Sequence, residues 1–228
     1  MLLETILLGV NHFFAPGSLI VSLTLIAVLL FFGKDVKTYQ QIGYWYVLGI
    51  ALTYFFIFEG RFAQLRFELS TTNYASLVYS LCGFIFVVLG MVFVKEWIGL
   101  MRSENRNPII SFRLAPAVKK PIKQTVLISL VSFVVAAIVA FFATETLDSQ
   151  KVFDLMVEAL AKGGKMPYLL LIAAYVIALL VPVNFGYCLL FLVFNSKKQV
   201  THKRKRLILA IFSALYLGVG ISILYTIK

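Results

Sequence analysis

Asn11, His12 and Ser18 fall around a Pro16-Gly17 pair, inside an apolar run that carries no charge between Glu4 and Lys34. An amide, an imidazole and a hydroxyl are groups that can hold an ion or a small polar solute, and Pro16 supplies the backbone half of such a site. Proline cannot donate the hydrogen bond its position requires and Gly17 adds no side chain, so the run is expected to kink here and to free a carbonyl near Asn11 to Phe13. The same side chains have a plainer reading, in which Asn11 and His12 bond neighbouring helices as packing contacts. A second cluster is Thr144, Glu145 and Thr146. A carboxyl in or near lipid either binds a cation or carries a proton, or else caps a helix at the membrane edge, and Asp148 and Lys151 nearby leave both open. Asn184, just after Pro182 in VPVNFGYC, marks a third interruption, which faces a cavity or is a structural kink.

Other chemistries find no support in the residues. Ser-His-Asp arrangements, phosphate-binding loops and metal-ligand spacings are not evident. His12 and His202 are the only histidines, with His202 read as part of a basic loop, so neither haem nor any other cofactor is expected, and the chain does not read as an enzyme. Cys82 and Cys188 form no CxxC and sit in apolar stretches, which fits buried small hydrophobes better than a redox pair.

The elements that must position these residues follow from composition. Of 228 residues, 61% are hydrophobic and 14% charged, with a mean hydropathy of +0.94. A soluble domain needs nearly twice that share of charge to clothe its surface, so lipid is the expected solvent. About 20 apolar residues cross about 30 Å of hydrocarbon. Six windows meet that length: Thr5 to Gly33, Val36 to Phe58, Leu69 to Val94, Gln124 to Phe142, Met166 to Phe194 and Leu207 to Ile227. These continuous runs lack the alternation of barrel strands, so they are expected to be helices. Met1 to Val10 contains Glu4 and no basic residue, so the first helix is expected to stay in the mature protein.

The formal charge of +11 lies in the breaks between the windows. Fifteen of the 21 Lys and Arg residues follow the first, third and fifth windows, and six fall on the other side. Short cytoplasmic loops retain positive charge, which places both termini outside and Lys203 to Arg206 (KRKR) against anionic lipid heads in the cytoplasm of an inner (plasma) membrane. A nucleic-acid partner is not expected. Two connecting segments carry more. Gln150 to Ala161 places Phe153, Met156, Val157 and Leu160 at helical spacing before Gly163-Gly164, an external amphipathic helix that could lie at the interface or receive a protein partner. Met101 to Lys123 holds Pro108, Pro116 and Pro121 and reads as an irregular cytoplasmic linker.

The chain also repeats itself. FFAPGSL at residues 13–19 returns as FFATETL at 141–147, an offset of 128. Tyr46-Val47 meets Tyr175-Val176 and Leu89-Gly90 meets Leu217-Gly218 at nearly the same offset. The expected fold is therefore all-α and polytopic, with six transmembrane helices as two three-helix repeats at 1–100 and 124–228 joined by a linker at 101–123. An odd number of spans per repeat makes the copies inverted, an architecture that places a site at interrupted helices near the midplane.

The pattern resembles the superfamily of the LysE-type exporters and the cytochrome c biogenesis and DsbD-type transmembrane thiol carriers. APGS at Ala15 to Ser18 is similar to the exporters' PGP-type and the carriers' SPC motif, and LGIAL (48–52), GFIFVVLG (83–90), AYVIALLVP (174–182) and LYLGVGISIL (215–224) are similar in placement to helices of that group. The resemblance implies a small transporter of an ion or polar solute. It departs from the carriers where they bear redox cysteines, since Gly17 and Glu145 stand there, and the polar stretch after Glu145 puts a symmetric carrier in doubt. Two other readings stay open: a cysteine-poor, partner-binding membrane subunit, and a thiol-disulfide carrier using Cys82 and Cys188.

Overall fold

The structure, a computed structural model, describes residues 1–60, 74–102, 112–117, 121–143, 149–195 and 201–226. Its regular elements there are helices: α1 (Leu2–His12), α2 (Pro16–Phe32), α3 (Val36–Phe58), α4 (Tyr74–Arg102), α5 (Ile122–Ala143), α6 (Ser149–Gly163), α7 (Lys165–Asn195) and α8 (His202–Thr226). Among the described residues α3, α4, α5, α7 and α8 are long and apolar enough to cross a membrane, and a sixth span results if α1 and α2, bent by 60° at their junction, count as one.

The sequence of α2 carries no charge on any side, so lipid or protein can enclose it. Protein encloses most of it. Ile20, Val21, Leu23, Leu25, Ala27, Leu29 and Leu30 are buried, and α3, α4, α5 and α8 surround them. The outer helices bury one stripe each and expose the other. Leu81, Phe84, Ile85, Val88 and Met91 of α4, and Val126, Leu127, Leu130, Val131 and Ile138 of α5, lie exposed as residues solvated by hydrocarbon should.

Lipid gives helices no hydrophobic reason to associate with one another, so close approach at small residues has to hold them. Three such contacts organise the bundle. Gly83 of α4 packs on the Gly220 carbonyl of α8, where an added Cβ would come within 3.1 Å, and Phe86 and Phe93 lock onto Tyr216 beside it with ring centroids 5.6 and 5.0 Å apart. Gly49 of α3 lies on the Phe133 carbonyl and Ala136 of α5, within a buried stripe of Ser132, Ala136, Ala140 and Ala143. Gly9 of α1 lies on Ala178 and the Tyr175 carbonyl of α7.

Several expectations change. The windows measured lipid-facing length, whereas the helices run on through charged residues that are themselves good helix formers. Thus α4 continues past Val94 to Arg102, and KRKR forms the first turns of α8. His202 is therefore not in a loop: it opens α8, and its Nε2 donates to the Leu100 carbonyl at 2.9 Å. Part of the linker is also docked onto the helix ends. Ala115 donates to the Lys34 carbonyl and Val36 to the Ala115 carbonyl, Leu114 donates to the Phe194 carbonyl, and Phe112 and Leu114 are buried. Pro182 does not interrupt α7, which is one continuous helix. In α6 the buried face is Val152, Met156 and Ala159, with Phe153 against Phe58, because the helix folds back onto α7 and α1. Val157 and Leu160, expected on the same face, remain exposed.

Candidate functional site

The junction of α1 and α2 is where sequence and structure agree on an interruption. Ala15 adopts an extended conformation (φ −65°, ψ 146°) as the residue before a proline prefers, and Pro16 takes the first helical position of α2, where its missing N–H costs nothing. Two of the carbonyls in the stretch expected to be freed are bonded locally. Phe13, Phe14 and Ala15 donate to the carbonyls of Val10, Asn11 and His12 at 3.0–3.2 Å, so the chain tightens to three-residue turns and Ala15 takes the acceptor that a helix would have given to residue 16. The Asn11 and His12 carbonyls of the expected stretch are thus occupied.

Four tyrosines contact the first span at this break and along the first half of α2, and all are buried to 1% exposure or less. Tyr175 of α7 shares a 2.7 Å hydrogen bond with His12 Nδ1, and the rings meet edge to face at 5.8 Å. Tyr46 of α3 donates to the Val21 carbonyl at 3.0 Å, and Tyr216 of α8 donates to the Leu23 carbonyl at 2.5 Å. Tyr54 of α3 lies beside Ser18, and neither hydroxyl completes a hydrogen bond at bonding geometry although both side chains are buried. Buried hydroxyls of native proteins are nearly always satisfied, so this pair marks unused polar capacity next to the first turn of α2. Ser22 and Thr24 donate back to the Ser18 and Ile20 carbonyls at 2.9 and 2.8 Å, and Thr24 also interacts with Tyr46. Hydroxyls therefore follow the central half-helix for about 9 Å, taking six residues at 1.5 Å each.

The nine residues singled out from sequence separate into three groups. His12, Gly17 and Ser18 are buried at the break, with Pro16 at the head of α2. Asn11 is exposed, and Asn184 donates to the Leu180 carbonyl of its own helix at 3.1 Å, so neither side chain is shown bonded across the break. Thr144, Glu145 and Thr146 lie outside the described residues. Cys82 is half-buried on α4, but Cys188, expected to be buried, is exposed on α7 because it stands on the side of the helix that faces away from the bundle; both are free thiols.

The tyrosines were missed as site residues. A signal was present for Tyr46, which stands in the middle of an apolar window, away from the interfacial positions tyrosine favours. Glu96, with 1% exposure near the end of α4, was missed as well, since Lys95 beside it made the segment read as membrane edge. Compared with family models, curated proteins and solved structures, the chain matches none.

Proposed function

We propose that this chain is a small exporter-like transporter of an ion or polar solute, working by alternating access between two inverted three-helix units. In this reading it is an inner-membrane protein with both termini outside and the KRKR turn of α8 in the cytoplasm. The observation that carries it is the broken first span, whose second half lies enclosed at the centre of the bundle with the Ser18 and Tyr54 hydroxyls unsatisfied beside it. A transported solute needs such groups, because each polar atom it brings into lipid costs a few kcal/mol unless it is hydrogen-bonded (about 2–7 kcal/mol). Helix pairing supports the inverted repeat. Gly9 of the first helix meets Ala178 of the fifth span, and Ala136 of the fourth meets Gly49 of the second; within one residue of the 128 offset these are two copies of one contact.

The test is flux into proteoliposomes of the purified full chain, across a panel of monovalent cations, divalent cations and amino acids, with an imposed pH gradient. Saturable flux that falls several-fold in Ser18→Leu and loses its pH dependence in Glu145→Gln is the expected result. A second reading, a partner-binding membrane subunit, draws on the exposed Val157 and Leu160 of α6. Absence of flux for every probe, together with a stable fold, would move the assignment to that reading.

A further inference from the structure

The outward face between α3 and α5 carries a groove of about 710 Å³. Its walls are Lys37, Gln41 and Trp45, one turn apart on α3, and residues 125–133 of α5. The two helices pack in parallel register, because Gln41 donates to the Thr125 carbonyl and to the Ser129 hydroxyl, while Gly49 meets Phe133 and Ala136 two turns further on. The groove is therefore graded along its length. Lys37 stands at the N-terminal end of both helices, the Gln41–Ser129 bond comes next, and Trp45, Leu130 and Phe133 form the apolar end about 12 Å away, eight residues at 1.5 Å each.

Charge is unbalanced at the polar end. Lys37 and Lys123, in the first turns of α3 and α5, are both exposed and have no carboxylate partner among the described residues. Asp35, the acid closest in sequence to Lys37, is buried and turned inward, accepting from the Thr38 N–H and hydroxyl at 3.0 and 2.6 Å. Lys37 in the wall of an apolar trough, and Lys123 three and seven residues before Val126 and Leu130 on the same stripe of α5, are two exposed ammonium groups that match one molecule that every membrane supplies. We infer that the α3–α5 groove is a binding site for an anionic phospholipid, with its phosphate held by Lys37 and Lys123 and one acyl chain lying along Trp45, Leu130 and Phe133. The grading excludes a free phosphate as the natural occupant, because most of the groove would then stay empty. The inference does not depend on the transport reading.

The experiment is native mass spectrometry of the full chain released from nanodiscs holding equal phosphatidylglycerol and phosphatidylcholine. A juxtamembrane lysine contributes about 1 kcal/mol toward an anionic head, so two of them should enrich the retained lipid in phosphatidylglycerol by about tenfold or more. Lys37→Gln with Lys123→Gln should bring the ratio close to one, Lys37→Arg should keep it, and Leu130→Trp should lower retention of both lipids by filling the trough. Arg204→Gln with Lys205→Gln should leave the enrichment intact. Unchanged enrichment in the Lys37→Gln, Lys123→Gln variant, or its loss in the Arg204→Gln, Lys205→Gln variant, overturns the assignment. So does efficient disulfide cross-linking of two chains through Val126→Cys, which would seat a second copy on this face.

Discussion

Tyr46 and Tyr175 reach the broken first span from either side of its break: Tyr46 donates to the Val21 carbonyl in α2 at 3.0 Å, and Tyr175 shares a 2.7 Å hydrogen bond with His12 at the end of α1. Both begin a Tyr-Val pair in the second helix of a proposed repeat. One phenol thus fixes each half of the interrupted helix, and in the transport reading a movement of one proposed unit against the other would act on the angle between α1 and α2.

The His12–Tyr175 pair should be energetically coupled. Removing one partner leaves the other buried without its bond, at a cost of about 1–3 kcal/mol, whereas removing both avoids that penalty. Thermal unfolding in detergent should find Tyr175→Phe and His12→Leu each destabilising and the double variant clearly less so than the two added together. Strict additivity would mean that the bond contributes nothing.

Gly9 and Gly49 should tolerate no side chain. A Cβ at Gly9 would lie 2.8 Å from both Ala178 Cβ and the Tyr175 carbonyl, and one at Gly49 2.7 Å from the Phe133 carbonyl. Because backbone is among the atoms struck, helices must separate, and overpacking of this kind costs about 1–3 kcal/mol. Gly9→Ala and Gly49→Ala should lower the melting temperature by similar amounts, while Gly186→Ala, whose added Cβ meets nothing within 4 Å, should leave it close to wild type. A harmless Gly9→Ala would count against the proposed equivalence of the two contacts.

The sequence conveyed solvent and element type with little loss, since a window of twenty apolar residues has few alternatives to a helix in lipid. The Pro16 break was legible for the same reason: a missing N–H inside a span has a fixed consequence. Side-chain pairing was not legible, because apolar spans carry weak periodicity. Nothing in the residues around Asn184 distinguishes an amide facing a cavity from one bonded to Leu180, and nothing in α6 says whether Phe153 or Val157 turns toward the bundle. Those choices belong to the partner helix. The central position of α2 was implicit in its uniform apolarity, yet that signal is shared by every span lying against lipid.

Orientation can be tested by labelling. In a Cys82→Ser, Cys188→Ser background, which should retain activity because the transport reading uses neither thiol, a cysteine replacing Arg204 should react only with membrane-permeant maleimide in intact cells. One replacing Val157, exposed on α6, should react with the impermeant reagent. Labelling of position 204 from outside would reverse the charge argument and the proposed topology with it.

The transport reading makes its sharpest demand on Pro16 and Ser18. Pro16→Leu restores a donor at that position and removes the bias that holds Ala15 extended, so the chain can continue α1 into α2 and straighten the 60° bend. A straightened span would draw Ser18 away from Tyr54 and close the polar gap. Ser18→Ala alters no backbone and removes one of two unsatisfied hydroxyls, so its folding stability should stay near wild type or rise slightly. Flux in proteoliposomes should fall in both variants, with Ser18→Ala mainly weakening apparent solute affinity and Pro16→Leu mainly lowering the maximal rate. If both variants transport normally, the break is a packing feature and the solute passes elsewhere.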